Sequence, residues 1–457
     1  MKSKNDIDMT NGSLLPKMLL FALPLMASSL LQLLFNLADV AVIGKFASEH
    51  SLAAVTSTGS LINLLTNLFL GLSIGANVLS AKYIGAKDYS RNSLVVHTSV
   101  VISLIFGVFL SVVGVIFAPV FLRMMSQPES VIQLASLYLR IYFLGMPAMM
   151  LYNFASSLLR SKGDTKRPLF FLTAAGVLNV GLNLIFVIVF RMDVAGVALA
   201  TIISQYFSAF LIFRCLMHED DSFRLTLSAL KIDTGSLKLM LRIGVPAGLQ
   251  GVVFSLSNVV IQSSVNQFGE IVIAGNGIGA QVEGFVWVSM NCFHQTALAF
   301  TSQNIGAGKY SRINKILVRA LLCAFTTGVI FGNLSSLCSG SLLSLLSKSP
   351  DAIAYGARRL RIIGTTYFTC GIMDAICGSI RGMGYSVVPT IVSMIGACGL
   401  RLLWIFTVFQ IPQYHELEIL YISYPISWVI TFLAHLTCFI LFRRKFPKDD
   451  VVALKQA

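Results

Sequence analysis

The carboxylate of Asp39 stands in an apolar stretch that begins near Met18 and closes with "NLADVAVIG" at residues 36–44. On a helix Gln32, Asn36 and Asp39 fall at i, i+4 and i+7, a single polar stripe. An acid at the centre of a membrane helix costs about 2.5–3.5 kcal/mol on insertion scales, so it must face partners or a cavity rather than lipid. A group held at that cost suits the loading and release of a proton or small cation. The plainer reading is an acid that accepts hydrogen bonds and pins its helix. Asn179 and Asn183, also i and i+4, put two amides on one face, where they can hold a carboxylate, coordinate a cation or simply pack. Farther along, Glu283, Trp287, Asn291 and His294 form a stripe at i, i+4, i+8 and i+11, while Asp374 and Arg401 each stand in later apolar stretches. With Gln32, these residues are candidates for a substrate cavity or a second ion site. An Arg at that depth calls for an acid, and Asp374 or Glu283 is the expected partner. His294 reads as a satisfied polar contact rather than a proton relay. Pro24 precedes Asp39 on the same stretch and removes a backbone donor, which makes it the candidate hinge, with Pro147 and Pro246 behind it.

The elements that carry these groups must be membrane helices. Only 12% of the 457 residues are charged, against about 25% in soluble domains, and mean hydropathy is +0.79. Apolar stretches recur along the whole chain at lengths that cross a hydrocarbon core of about 30 Å, and a spanning backbone must satisfy its own hydrogen bonds as a helix. The expected spans are 14–44, 52–80, 93–117, 131–159, 168–190, 194–216, 237–266, 272–303, 315–338, 352–380, 387–410 and 418–442. The net charge of +14 raises nucleic acid as a partner, but the basic residues alternate between the connections. Lys82, Lys87, Arg91, Arg160, Lys162, Lys166, Arg167, Lys309, Arg312, Arg381 and the tail Arg443, Arg444 and Lys445 fall on one side, with Lys45, Arg123, Arg191 and Lys348 opposite. By the positive-inside rule the rich side is cytoplasmic, both termini included, so the charge reports topology and excludes a nucleic-acid role. The eight cysteines, all after residue 214, lie among apolar neighbours without a CxxC pair and read as packing residues. The apolar stretch after Lys17 exceeds a signal-peptide core of about 7–15 residues, so no cleavage is expected.

"IGAKDYSR" at 84–91 returns as "IGAGKYSR" at 305–312, an offset of 221 (305 − 84). The same offset relates "RSKGDTKRP", starting at Arg160, to "RGMGYSVVP", starting at Arg381, and "YLRI" around Arg140 to "RLRI" around Arg361. The chain is therefore an all-α, polytopic tandem repeat: a six-helix lobe at 1–216, a polar cytoplasmic linker at 217–236, and a second six-helix lobe at 237–457 with a short basic tail. An even number of spans per copy keeps both copies in one orientation, and repeats of this kind commonly hold a site at their interface and rock about it. No GxxxxGK[ST] loop is present to bind a nucleotide phosphate. "GNGIGA" at 275–280 opens a membrane helix with no preceding βα unit, which points to close helix packing rather than dinucleotide binding. Energy for work must then come from an ion gradient.

"NLADVAVIG", "IGAKDYSR", "LLRSKGDTKRP", "QNIGAGKYSR" and the 221-residue repeat together resemble the multidrug and toxic compound extrusion (MATE) family, over residues 14–442. The resemblance implies two six-helix lobes that export organic cations or amphipathic drugs in exchange for protons or sodium by alternating access. It implies that Asp39 is the coupling acid, that Pro24 is the bend beside it, and that Asn153, Asn179, Asn183 and Thr201 are its polar surround, with Asn36 on the acid's own stripe. Asn183 departs from the family pattern, where an Asp is common; the missing negative charge weakens a sodium site there and favours protons. Asp374 fits the second-lobe acid of other members. The expected partners are drug-like cations and the bilayer of the inner (plasma) membrane, with no cofactor or metal beyond the transported ion, and the protein is expected to act as a monomer. The rival within transport is a lipid-linked oligosaccharide flippase of the wider superfamily, for which an Arg-rich cavity is expected instead of the mixed charges here. A membrane enzyme would need a nucleophile, metal triad or acid pair, and His97, His294 and His435 are too scattered to supply one.

Overall fold

The computed structural model describes residues 6–125, 129–219 and 221–450, which are helical and contain no strand. The helices are α1 (Leu14–Phe46), α2 (Glu49–Gly85), α3 (Tyr89–Met124), α4 (Glu129–Leu144), α5 (Met146–Lys162), α6 (Lys166–Leu184), α7 (Asp193–Met217) and α8 (Thr234–Asn266). They continue as α9 (Glu270–Gly306), α10 (Arg312–Leu337), α11 (Ser339–Ser344), α12 (Pro350–Arg359), α13 (Phe368–Gly382), α14 (Val387–Ser393), α15 (Leu400–Phe406) and α16 (Leu417–Arg443). Among the described residues, ten helices are long and apolar enough to cross a membrane, and α4 and α5, bent by 47°, make an eleventh. Residues 350–382, in three helical pieces, occupy the matching repeat position, completing twelve spans in two six-helix sets.

The packing is that of a lipid-facing protein. On α3 the exposed face carries Ile105, Val108, Phe109, Val112 and Ile116, and the buried face carries Ser99, Ser103, Gly107 and Gly114. Large apolar groups turn outward because lipid is as apolar as the interior, and small residues turn inward because they let backbones approach. Buried hydroxyls return to their own helix, as when Ser103 donates to the Val100 carbonyl at 2.7 Å. Starts are fixed by side-chain caps: Ser48 accepts from the Ser51 amide at 3.2 Å and Asp88 from the Arg91 amide at 3.1 Å. Gly163, at φ +104°, ends α5 in a left-handed cap that an L side chain would strain.

Two compact units emerge from the packing. One contains residues 6–7 and 27–248, the other 8–26 and 249–450. Two helices are therefore shared: α1 changes unit between Met26 and Ala27, just after Pro24, and α8 changes unit between Gly248 and Leu249, just after Pro246. Both helices run unbroken through their prolines.

In the first unit the glycines of α2 lie against α8. A Cβ at Gly71 would collide with the Gly248 backbone, and one at Gly75 with the Met240 carbonyl. The linker packs on the same unit, burying Phe223 and Leu225 and donating from the Thr226 amide to His97 Nε2 at 3.2 Å. In the second unit Gly275 and Gly279 of "GNGIGA" meet α12 at Gly356, which accounts for that motif as close packing.

Candidate functional site

The first unit gathers a polar cluster around Asp39. Asn183 donates from Nδ2 to Asp39 Oδ1 at 2.5 Å and also reaches Asn179 Oδ1 at 3.3 Å. Asn179 in turn donates to Thr201 Oγ1 at 3.4 Å, and Thr201 donates to its own-helix carbonyl at Val197 at 2.9 Å while lying beside the Asp39 carboxylate. Three helices, α1, α6 and α7, thus contribute to one ring of hydrogen bonds. Asn179 and Asn183 are buried, and Asn183 Oδ1 has no donor among the described residues. That leaves a buried acceptor beside a carboxylate, an arrangement suited to a proton carrier or a small cation.

Other expected members stand apart. Gln32 and Asn36 share the Asp39 stripe but are exposed, and Asn153 donates to its own-helix Met149 carbonyl at 2.8 Å. Two residues that composition does not single out complete the surroundings: Tyr138 and Tyr142 of α4, with ring centroids 5.9 Å apart, come within electrostatic reach of Asp39.

The second unit holds a different cluster. Glu283 is buried and receives two hydrogen bonds from Arg359, Nε to Oε1 at 2.8 Å and Nη2 to Oε2 at 2.7 Å. Arg359 also donates to Asn276 Oδ1 at 2.6 Å, which accepts from Tyr421 at 3.0 Å. The expectation that Glu283 or Asp374 pairs with Arg401 is therefore corrected. The acid is taken by Arg359, because a bidentate fork satisfies both carboxylate oxygens at once. Arg401 instead donates from Nε to Ser427 Oγ at 2.8 Å and stacks on Tyr424 at 4.2 Å and Trp428 at 5.1 Å. Asp374 takes a hydrogen bond from Trp287, and its backbone carbonyl meets His294 Nδ1 at 2.8 Å, so His294 serves as a polar contact between α9 and α13. Asn291 is half-buried on the same helix.

Three π-helical segments abut these residues. Ile185–Val189 follows Asn183, Leu360–Gly364 follows Arg359 directly, and Met394–Gly399 precedes Arg401. Such widened turns are rare and occur frequently at functional sites.

The MatE family model matches twice, over residues 24–185 and 246–407, so the duplicated domain covers most of the chain. The chain belongs to the MatE family. As a MatE protein it is a multi-pass membrane transporter, not an enzyme. Among its relatives are the probable multidrug resistance protein YoeA of Bacillus subtilis, 29% identical over 91% of each chain, and the multidrug export protein MepA of Staphylococcus aureus, 22% identical over 83% of this chain and 84% of that one. Among solved structures, an outward-facing multidrug resistance MATE family transporter of the MOP superfamily matches with a TM-score of 0.89 at 20% identity, covering 97% of this chain and all 100% of that one. At that identity the likeness concerns the fold.

Proposed function

We propose that this MatE protein exports organic cations or amphipathic drugs in exchange for protons or sodium by alternating access, with Asp39 as the coupling acid. The observation that carries this reading is the hydrogen bond from Asn183 Nδ2 to Asp39 Oδ1 inside a membrane span. A carboxylate that binds a proton loses much of its pull on an amide donor, so loading the acid weakens its hold on α6. The first span then bends near Pro24, where α1 passes from one compact unit to the other. The moving bodies are the two compact units, joined through the shared helices α1 and α8.

Asn179, Asn183 and Thr201, the hydrogen-bonding partners described around Asp39, are all neutral, which favours a proton over sodium at this site. One charge moving down 100 mV supplies about 2.3 kcal/mol, enough for a gradient of tens-fold per ion. The named multidrug relatives support a drug-like cargo. The cycle operates in the plasma membrane of a single-chain transporter with both termini in the cytoplasm. The test is export of a fluorescent cation from proteoliposomes under an imposed pH or sodium gradient at fixed voltage. Transport that responds to neither gradient removes the antiport reading.

A further inference from the structure

His97 of α3 is only 5% exposed and holds the linker through a contact that a single form of its ring can make. The Thr226 amide donates to Nε2 at 3.2 Å, so Nε2 must carry a lone pair. Nδ1 lies 2.8 Å from the Ser93 carbonyl, a pure acceptor, and 3.4 Å from Ser93 Oγ, so Nδ1 must carry the hydrogen. Together the two partners fix a neutral imidazole with its proton on Nδ1. An imidazolium donates from both nitrogens, and its Nε2–H would point at the Thr226 N–H, replacing a hydrogen bond by a repulsion. The matching position of the second copy is Val318 (318 − 97 = 221), so the histidine belongs to this corner and not to the repeat.

What this contact holds is the approach to α8. Thr98, the next residue of α3, accepts from the Asp233 amide at 3.0 Å, so consecutive side chains pin both ends of residues 226–233. Asp233 in turn accepts from the Ser236 amide at 2.7 Å, in the first turn of α8, one of the two helices shared by the compact units. Upstream the linker is anchored by buried Phe223 and Leu225 and by Asn92, which donates to Ser222 Oγ at 2.9 Å, whereas Thr226 to Ala229 are exposed. The acids at this end of the packed elements are already engaged: Asp88 by the Arg91 amide, Asp6 and Glu219 by Lys162, Asp164 by Arg167, and Asp233 by Ser236. Lys82 of α2, Arg160 of α5, Arg224 of the linker and Lys238 of α8 add only positive charge. Among the described residues, no carboxylate meets the ring.

We propose that His97 is a pH sensor for the linker: neutral, it pins residues 226–233 to α3; protonated from the side that the positive-inside rule makes cytoplasmic, it releases them, loosens the start of α8 and slows export. An exchanger that admits protons is thereby checked as they accumulate inside. The hold on the linker stands on the contacts alone, and its effect on export rests on the transport reading above.

The experiment is hydrogen exchange of the purified full chain, read by mass spectrometry over residues 222–233 and corrected for the intrinsic effect of pH, at about pH 7.5 and about pH 5.5, either side of the ordinary imidazole value. Wild type should lose protection about ten-fold at the lower pH, the size of one hydrogen bond. His97→Gln, whose amide oxygen accepts without titrating, should keep its protection at both values. His97→Lys, a permanent donor, should lack it at both and serves where the Gln variant does not fold. His218, the other imidazole beside the linker, meets the Arg214 carbonyl through Nδ1 at 2.9 Å, a contact that protonation leaves intact, so His218→Gln should respond to pH as wild type does. In proteoliposomes with the pH lowered equally on both sides, at fixed gradient and voltage, export of a fluorescent cation should slow several-fold more in wild type than in His97→Gln. Wild-type protection that is equal at both pH values, a Gln variant that loses it, a response that follows His218, or equal slowing of export in wild type and His97→Gln overturns the proposal. Absence of gradient-driven export from every protein at either pH removes the transport reading, while the exchange data still decide whether His97 holds the linker.

Discussion

Glu283 and Arg359 face each other through two parallel hydrogen bonds of 2.8 and 2.7 Å, with both side chains buried. Removing one partner leaves the other charge uncompensated, which costs about 3–5 kcal/mol, while replacing both by apolar groups of similar volume is often neutral. Arg359→Met should therefore lower the unfolding midpoint in detergent sharply, and Glu283→Leu combined with Arg359→Met should recover most of the loss. A double variant as unstable as the single one would contradict a simple ion-pair role.

Asn183 tests the choice of ion. Its amide reaches both Asp39 and Asn179. Asn183→Asp places a second carboxylate beside the first, so sodium stimulation of dye transport should rise relative to wild type. Asn183→Leu removes the donor and should weaken the response to a pH gradient at least several-fold. Both are read in proteoliposomes by varying one ion at fixed voltage.

Outside the membrane spans, Glu219 accepts from Lys162 at 2.7 Å and pairs with Arg167, and Lys162 also meets Asp6 at 3.1 Å. Burial opposes the charge on Glu219, yet the Lys162 hydrogen bond and the Arg167 charge together hold its carboxyl below the ordinary value of 4.5. A carboxyl depressed on folding contributes stability that is complete above its unfolded value and is lost as pH falls through the folded one. Thermal unfolding should thus show an acid limb below about 4.5 that flattens in Glu219→Gln, with little difference between the two proteins at neutral pH beyond a constant offset.

A side chain at Gly71 has nowhere to go, because its Cβ would occupy the backbone of Gly248. Gly71→Val should destabilise by about 1–3 kcal/mol or more through forced separation of α2 and α8. Gly277, whose Cβ meets open space, is the matched control, and Gly277→Ala should change the midpoint little.

Much of this was legible in the amino-acid order. Apolar runs gave the spans, since lipid tolerates no unpaired backbone, and the 221-residue repeat gave two copies of six. Spacing also put Asn179 and Asn183 on one face, and the hydrogen bonds to Asp39 followed. Arg359 was not legible. It sits in "ARRLRI" among three arginines, and helical spacing alone does not say which of them turns inward to meet Glu283. One clue was present: Arg359 and Tyr138 occupy the same repeat position (359 − 138 = 221), and each lines the polar cluster of its own unit. The pairing of Arg401 was misjudged for the same reason, as periodicity ranks faces but does not choose between two forks competing for one acid.

The most direct measurement concerns Asp39. In proteoliposomes with an imposed inward proton gradient at fixed voltage, wild-type protein should expel a fluorescent cation faster as the gradient steepens, and Asp39→Asn, which keeps the shape but cannot take up a proton, should lose that dependence while still binding the dye. Gradient-driven export by Asp39→Asn at the wild-type rate would contradict the coupling role assigned to this carboxylate.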